Sequence, residues 1–140
     1  MSSFVEPAYH QRSLSDVVPA VAAALGTPLP GVETGLVLPP APGYVVLLVD
    51  GLGSELLSRH AHAAPFLAEL MREQEPGTAT VPSTTATSLT SLGTALAPGT
   101  HGVVGFTSRI PGSDHLLNAL LWDAKVDPIQ WQPHTTAFDR

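Results

Sequence analysis

Six consecutive apolar or aromatic residues, Tyr44–Val49, stand out from the mixed pattern around them because three are valines and two are leucines. Such a run is typical of a strand buried on both faces, as in a parallel sheet with helices on each side. It ends at Asp50, and a Gly-Leu-Gly sequence at 51–53 then allows a sharp turn. Open α/β sheets place ligand chemistry at the carboxyl ends of their strands. Asp50 is therefore the first candidate functional residue.

The rest of the pattern predicts several shorter elements. Ser13 or Ser15 can cap a helix that Gly26 ends. In a later helix, hydroxyl and small residues form one face, and Leu89, Leu92 and Leu96 form a stripe that we expect to face the core. The Leu-striped helix covers 84–96. The other predicted elements are a short turn of helix from Ser54 or Glu55, a helix at 65–74, a strand at 78–81, and a hairpin in which 101–106 form a loop into a short strand and 116–122 form its partner strand.

Together these elements predict an α/β fold with a mostly parallel sheet and helices on both faces. The 140 residues suffice for one ordinary domain with its own core. We expect residues 1–12 to form an arm. Residues 27–42 contain several prolines, which predicts a loop.

Composition narrows the possible functions. The net charge of −6 argues against a protein that binds duplex nucleic acid through its phosphates. The absence of cysteine excludes a thiolate zinc site, a disulfide framework and a cysteine nucleophile, so the 12 acids, 6 histidines and the hydroxyls are the possible metal ligands. The N-terminus lacks the pattern of a signal peptide, and no apolar stretch reaches about 20 residues. We therefore expect a soluble, cytoplasmic protein with no membrane partner.

A candidate for chemistry lies where the predicted strand at 78–81 gives way to a helix. Thr84 and Thr85 open that helix, and a helix N-terminus favours a phosphate or a developing oxyanion. A threonine there can act as a nucleophile if its hydroxyl is activated. No Ser/His/Asp set is evident, so a metal ion is the plausible activator, with Asp50 as one ligand. The alternative is that these residues only cap the turn and the helix.

Three ordered segments carry a resemblance to a known family. They are VDGLG at 49–53, VPSTTATSLTSLGTAL at 81–96 and APGTHGVVGF at 97–106. Over residues 44–122 the chain resembles the nucleotide pyrophosphatase/phosphodiesterase branch of the alkaline phosphatase superfamily. In that family a strand ends in a metal-ligating Asp followed by Gly, a pattern like F-P-S/T-x-T opens a helix, and the helix leads to P-x-x-H-G. Each motif alone is weak, whereas the ordered set is specific.

The resemblance implies a role for individual residues. Asp50 matches the first metal ligand, and Thr85 matches the nucleophile, which also contacts a metal. Ser88 falls where animal members often carry an Asn that binds the phosphoryl oxygens, so it is the candidate for substrate binding. His101 and Gly102 match a segment that we interpret as structural.

The family mechanism adds the cofactor and the substrate class. Two divalent metal ions, with zinc expected, would lie about 3.5–4 Å apart. One would activate the Thr85 hydroxyl for attack on phosphorus, and the other would stabilise the leaving oxygen. Water would then cleave the phosphothreonine intermediate. The substrate would be a small-molecule phosphodiester or nucleotide, whose identity the sequence leaves open.

The chain departs from the family pattern downstream of the nucleophile. The remaining ligands should be an Asp and a His one turn apart, an Asp-His pair and a later His. The pair Asp114-His115 comes too early in that order, in a predicted hairpin turn, and is not assigned as a ligand. We therefore expect the chain to be the N-terminal portion of an alkaline-phosphatase-like catalytic domain that is inactive alone.

Other interpretations stay open. The chain could be a non-catalytic α/β module, or a phosphomutase-type member of the same superfamily, whereas the C/S-x-P-x-R pattern of sulfatases is missing. A partial parallel sheet would expose apolar surface, so we expect poor solubility. The remaining histidines and the tryptophans carry structural expectations only: His60 and His62 exposed on a helix; His10, His115 and His134 on the surface; Trp122 and Trp131 packed in a core or lid.

Overall fold

The computed structural model describes residues 4–110 and 112–121. Residues 44–77 form one compact unit, and the described residues on either side of them form another. The helices are α1 (Leu14–Ala24), α2 (Ser54–Arg59), α3 (Pro65–Glu73), α4 (Thr85–Thr94) and α5 (Pro98–His101), with a 3-10 turn at Ala61–Ala63. The strands are β1 (Thr107–Arg109) and β2 (Leu116–Asn118). The single catalytic domain expected from the sequence stays a prediction.

Helix α1 begins and ends where its sequence signals place it. The Ser13 N–H donates to Asp16 Oδ2 at 2.8 Å, and the Ser13 hydroxyl donates to the same oxygen at 2.6 Å. The Asp16 carboxylate thus accepts from the backbone N–H of the N-cap residue, as the third helical residue does in a capping box. At the other end Gly26 has φ +81°, and its N–H donates to the Ala23 carbonyl at 3.0 Å. The predicted start and stop are confirmed.

Small residues form the contact between α1 and α4, which pack together in the first unit. The buried residues are Ser15, Asp16, Pro19 and Ala20 on α1, and Ala86, Thr87 and Ser91 on α4. Leu89 is 42% exposed, so the predicted leucine stripe facing the core is wrong. The distance between packed helices depends on the side chains at their contact. Small and hydroxyl side chains allow a closer approach than leucines do, and this face of α4 is therefore the buried one.

The predicted central strand at Tyr44–Val49 is wrong. These residues form no strand, and Val45 is 96% exposed and Leu47 79% exposed. A strand forms when its backbone N–H and C=O groups pair with neighbours. Within residues 4–110 and 112–121 the sheet is the antiparallel β1–β2 pair, with Thr107 opposite Asn118. The mostly parallel sheet expected from the sequence is therefore not seen in the described part of the chain.

The predicted strand at 78–81 is reduced to one bridge, and its assignment as a strand is also wrong. Thr78 pairs with Ser13 in parallel, through the Thr78 N–H to the Arg12 carbonyl at 2.9 Å and the Leu14 N–H to the Thr78 carbonyl at 3.1 Å. A single bridge pairs one residue of each segment, so it does not form a β-ladder. It nevertheless ties the start of α1 to the segment that leads into α4.

The predicted hairpin and the helices of the second unit are confirmed with shifted ends. The first hairpin strand, Thr107–Arg109, follows directly on the segment 101–106, and the second covers Leu116–Asn118. Helix α3 covers Pro65–Glu73 and α2 starts at Ser54.

Among the described residues, no helix is long and apolar enough to cross a membrane.

Candidate functional site

Two adjacent threonines, Thr84 and Thr85, form the start of α4, and they occupy different positions relative to the helix. Thr84 is the N-cap, with extended backbone at φ −82° and ψ 154°. Its Oγ1 accepts from the Thr87 N–H at 3.4 Å and lies 2.8 Å from Thr87 Oγ1. Thr85 is the first residue of the helix and is half-buried. The Thr84 hydroxyl is thus engaged in capping, and Thr85 occupies the first helical position.

Ser88, the predicted substrate-binding residue, contacts a buried threonine. Its Oγ lies 3.0 Å from Thr80 Oγ1, and the Thr80 hydroxyl donates to the Pro82 carbonyl at 2.9 Å. Because a hydroxyl has one proton, the Thr80 proton is used on Pro82, and Ser88 must be the donor to Thr80. Ser88 would have to turn its hydroxyl away from Thr80 to donate to a phosphoryl oxygen. Its role in substrate binding stays a prediction.

His101 links the C-terminal half of α4 to the chain after α5. Its Nε2 lies 2.9 Å from Ser91 Oγ, and its Nδ1 accepts from the Val103 N–H at 3.0 Å. Ser91 has no exposed surface, and His101 is 3% exposed. Burial lowers the pKa of His101 below its ordinary value of 6.5, because desolvation penalises the charged ring. The structural role predicted for His101 is confirmed by these contacts.

Asp50, the candidate metal ligand, lies in a turn of the second unit. The Leu52 N–H donates to the Val49 carbonyl at 3.4 Å, and Gly51 has φ +72°. A positive φ confined to the third residue is the mark of a type II turn, which favours glycine there. The sharp turn predicted at 51–53 is confirmed, and it leaves Asp50 on the surface.

The remaining histidines match their predicted exposure where the structure describes them. His60 and His62 are exposed, with ring centroids 6.1 Å apart. His10 and His115 are also exposed. The predictions for Trp122, Trp131 and His134 lie outside the described residues.

The described residues contain no cluster of side chains that would support the predicted metal site. Among residues 4–110 and 112–121, no group of three or more His, Cys, Asp or Glu side chains is placed to hold a metal ion. Asp50 belongs to the unit formed by 44–77, and Thr85 belongs to the other unit. A carboxylate and a hydroxyl are suitable oxygen donors, but structural and catalytic zinc sites use at least three protein ligands. These two residues alone do not make up such a site.

Sequence reasoning missed two residues that organise this part of the chain. Ser91 is the partner of His101, and Thr80 is the partner of Ser88. Both hydroxyls are buried. The available signal was the hydroxyl-rich face of the helix at 84–96, which predicts polar contacts on that face without giving the partners.

Comparison with known proteins adds one finding. A family model described as Type I phosphodiesterase / nucleotide pyrophosphatase matches residues 44–139, which is more than half of the chain. The matched range starts at the apolar run and includes Asp50, Thr85, Ser88 and His101. Searches of curated proteins and of solved structures gave no match.

Proposed function

Because the chain belongs to the type I phosphodiesterase/nucleotide pyrophosphatase family, we propose that Thr85 is the nucleophile of a phosphodiester hydrolase and that Asp50 is a metal ligand. The substrate class is a small-molecule phosphodiester or nucleotide. A cytoplasmic location, and the absence of duplex nucleic acid and membranes among the partners, remain predictions from the sequence.

The position of Thr85 at the start of α4 is the observation that carries the assignment. Thr84 caps α4 through Thr87, so using its hydroxyl as a nucleophile would give up the cap. Thr85 starts the ten-residue helix. The N–H groups and positive dipole end of a helix favour a negatively charged phosphoryl group close to that residue. No residue of α4 carries a charge of its own that would oppose this effect.

The proposed reaction has two displacement steps. In the first, Thr85 Oγ1 bonds to phosphorus, its proton leaves to solvent or a base, and the bond to the leaving oxygen breaks. In the second, water attacks the same phosphorus, the bond to Thr85 breaks, and the threonine hydroxyl is restored. The leaving oxygen takes up a proton from solvent. The products are a phosphate monoester and, from a phosphodiester, an alcohol or phenol, or, from a nucleotide anhydride, phosphate or pyrophosphate.

Metal dependence is part of the proposal, with two divalent cations and zinc as the first candidate. When bound, such ions stabilise an alkoxide nucleophile and the charge on the leaving oxygen. Asp50 and the Thr85 hydroxyl have suitable oxygen donors, but the described residues contain no complete ligand group. No step above is therefore assigned through the metal.

A non-catalytic anion-binding module is the second candidate. The backbone N–H groups at the start of α4, which can bind an anion without a metal, are the observation that favours it. In such a module α4 would bind an anion at its N-terminus without turning it over. Zinc-dependent turnover distinguishes the enzyme from the module.

The test is hydrolysis of p-nitrophenyl thymidine monophosphate, with and without zinc, by the natural-length protein that carries these 140 residues. We expect zinc-dependent turnover that Thr85→Ala reduces by about 10³-fold or more. Thr85→Ser should recover part of the activity, because it restores a hydroxyl. The matched control is Thr100→Ala, at an exposed threonine of α5, and it should leave turnover unchanged. Full activity in Thr85→Ala would refute the assignment, and no turnover by the wild type would favour the module.

A further inference from the structure

We propose that His101 is a positioning residue, a pH-sensitive latch that holds α4 through Ser91 and thereby fixes the position of Thr85. The latch itself rests on the contacts of the ring. Its consequence for catalysis rests on the proposed function of Thr85.

The two hydrogen bonds of the ring determine its protonation state. A backbone N–H can only donate, so the contact from the Val103 N–H requires a bare Nδ1. The ring proton of neutral His101 must then lie on Nε2, where it donates to Ser91 Oγ. Both nitrogens are used, and the neutral Nε2–H tautomer is the form that fits.

Protonation of Nδ1 removes one side of the latch. A second ring proton would face the Val103 N–H, donor against donor, and the contact would be lost. Helices α4 and α5, apart from His101 itself, and residues 102–106 carry no other ionisable side chain. His10 and Glu33 share a pocket with Ala95 and Leu96, at the C-terminal end of α4. On α1, which packs against α4, the ionisable side chain is Asp16, and it accepts from Ser13. The lowered pKa of the buried ring agrees with this arrangement.

Helix α4 transmits the state of the latch to Thr85. Ser91 lies six residues after Thr85, about 9 Å along the helix axis. Ser91 and Thr87 lie on one face, and neither has exposed surface. The Thr80–Ser88 contact holds the first half of the helix, whereas His101 holds the second half. Protonation keeps the donation from Nε2–H to Ser91 but releases the ring from the Val103 N–H. The second half of α4 is then no longer tied through the ring to the chain after α5, and α4 can tilt about its first half. In an active site, a displacement of about 1 Å can cost about 10²-fold in rate.

Amide hydrogen exchange tests the latch without any assay of activity. The variant is His101→Gln, whose amide can donate to Ser91 but has no charged form near neutral pH. Protection factors of the Ser88, Ser91 and Val103 amides are compared at pH about 7.5 and about 5.5, each corrected for the intrinsic exchange rate. We expect wild-type protection to fall by about fivefold or more at the lower pH, and that of His101→Gln to change by less than about twofold. His115→Gln, at an exposed histidine, should keep the wild-type response.

Two results would overturn the latch. One is wild-type protection that is independent of pH, and the other is an equal response in His101→Gln. If His101→Gln does not fold, ring-nitrogen NMR of the wild type decides instead. The neutral Nε2–H tautomer is required, and the Nδ1–H tautomer would exclude the proposal.

Measurement of enzyme activity tests whether the latch affects Thr85. In the natural-length protein we expect the acid side of the kcat profile to flatten in His101→Gln, with KM changed by less than about twofold. An unchanged kcat profile together with the expected exchange result would overturn the positioning role and leave the latch. Absence of wild-type turnover with the expected exchange result would refute the proposed function alone.

Discussion

The Oγ1 atoms of Thr84 and Thr87 lie 2.8 Å apart at the start of α4. The same Thr84 oxygen accepts from the Thr87 N–H. One side chain therefore satisfies a backbone donor that the first turn of a helix otherwise leaves unpaired, and it also pairs with a buried hydroxyl. This contact separates the role of Thr84 from that of Thr85, the next residue.

Replacing the cap should destabilise the chain. We expect Thr84→Ala to lower the free energy of unfolding by about 1 kcal/mol, because the cap is lost. Thr84→Ser should retain most of the stability, since serine supplies an equivalent oxygen. Urea unfolding followed by circular dichroism measures both, with Thr100→Ala as the control. Equal stability of Thr84→Ala and the wild type would show that the cap contributes nothing.

Removing the Asp16 carboxylate should cost more. Asp16 is 2% exposed and accepts from both the N–H and the hydroxyl of Ser13. We expect Asp16→Ala to lower the free energy of unfolding by about 2–3 kcal/mol, because a buried charge-assisted pair is lost and a donor is left unpaired. Asp114→Ala, at an exposed hairpin carboxylate, should stay within about 0.5 kcal/mol of the wild type. Similar losses in the two variants would contradict the capping role of Asp16.

Stability should depend on pH through His101. Its pKa is lowered in the folded state, so the unfolded chain binds more protons between the folded value and the ordinary value of 6.5. The free energy of unfolding should therefore be at its full value above 6.5 and should fall as the pH decreases from there to the folded pKa. Urea unfolding across this range should show a shallower dependence in His101→Gln than in the wild type. A wild-type stability that rises on acidification would contradict the burial of a neutral ring.

The exposed apolar residues at 45–49 should control solubility. Exposed extended apolar segments can pair with other chains. We expect Val45→Lys and Leu47→Lys to raise the concentration at which the chain stays monomeric, with little change in the free energy of unfolding. The control is Val37→Lys, at a valine outside this segment that is 87% exposed. Light scattering against concentration measures the effect, and equal aggregation in all three variants would exclude the segment as the cause.

Local signals in the sequence predicted the helix ends and the turns. Ser13 with Asp16 starts α1, Gly26 ends it, and Gly51 forms the turn after the apolar run. Each of these features depends on residues within a few positions of one another. Caps and tight turns follow from local backbone geometry, which is why the pattern alone sufficed for them.

Features that require distant partners were predicted less well. Tyr44–Val49 has the composition of a buried strand, but a strand also needs neighbours along both edges, and composition does not supply them. The buried face of α4 depended on how closely α1 approaches, and this favoured Thr87 and Ser91 over the leucines. In the candidate site the roles of Thr85 and Asp50 stay predictions, whereas the Ser91–His101 contact could be found only in the folded chain.

The most direct test of the central claim is to trap the covalent intermediate on Thr85. The natural-length protein would be mixed with p-nitrophenyl thymidine monophosphate and zinc, quenched in acid and digested, and its peptides would be analysed by mass spectrometry. We expect a thymidylyl ester on Thr85 of the wild type. The ester should be absent in Thr85→Ala and present in Thr100→Ala. The ester on Thr84 or on another residue, or turnover with no ester on any residue of the chain, would contradict it.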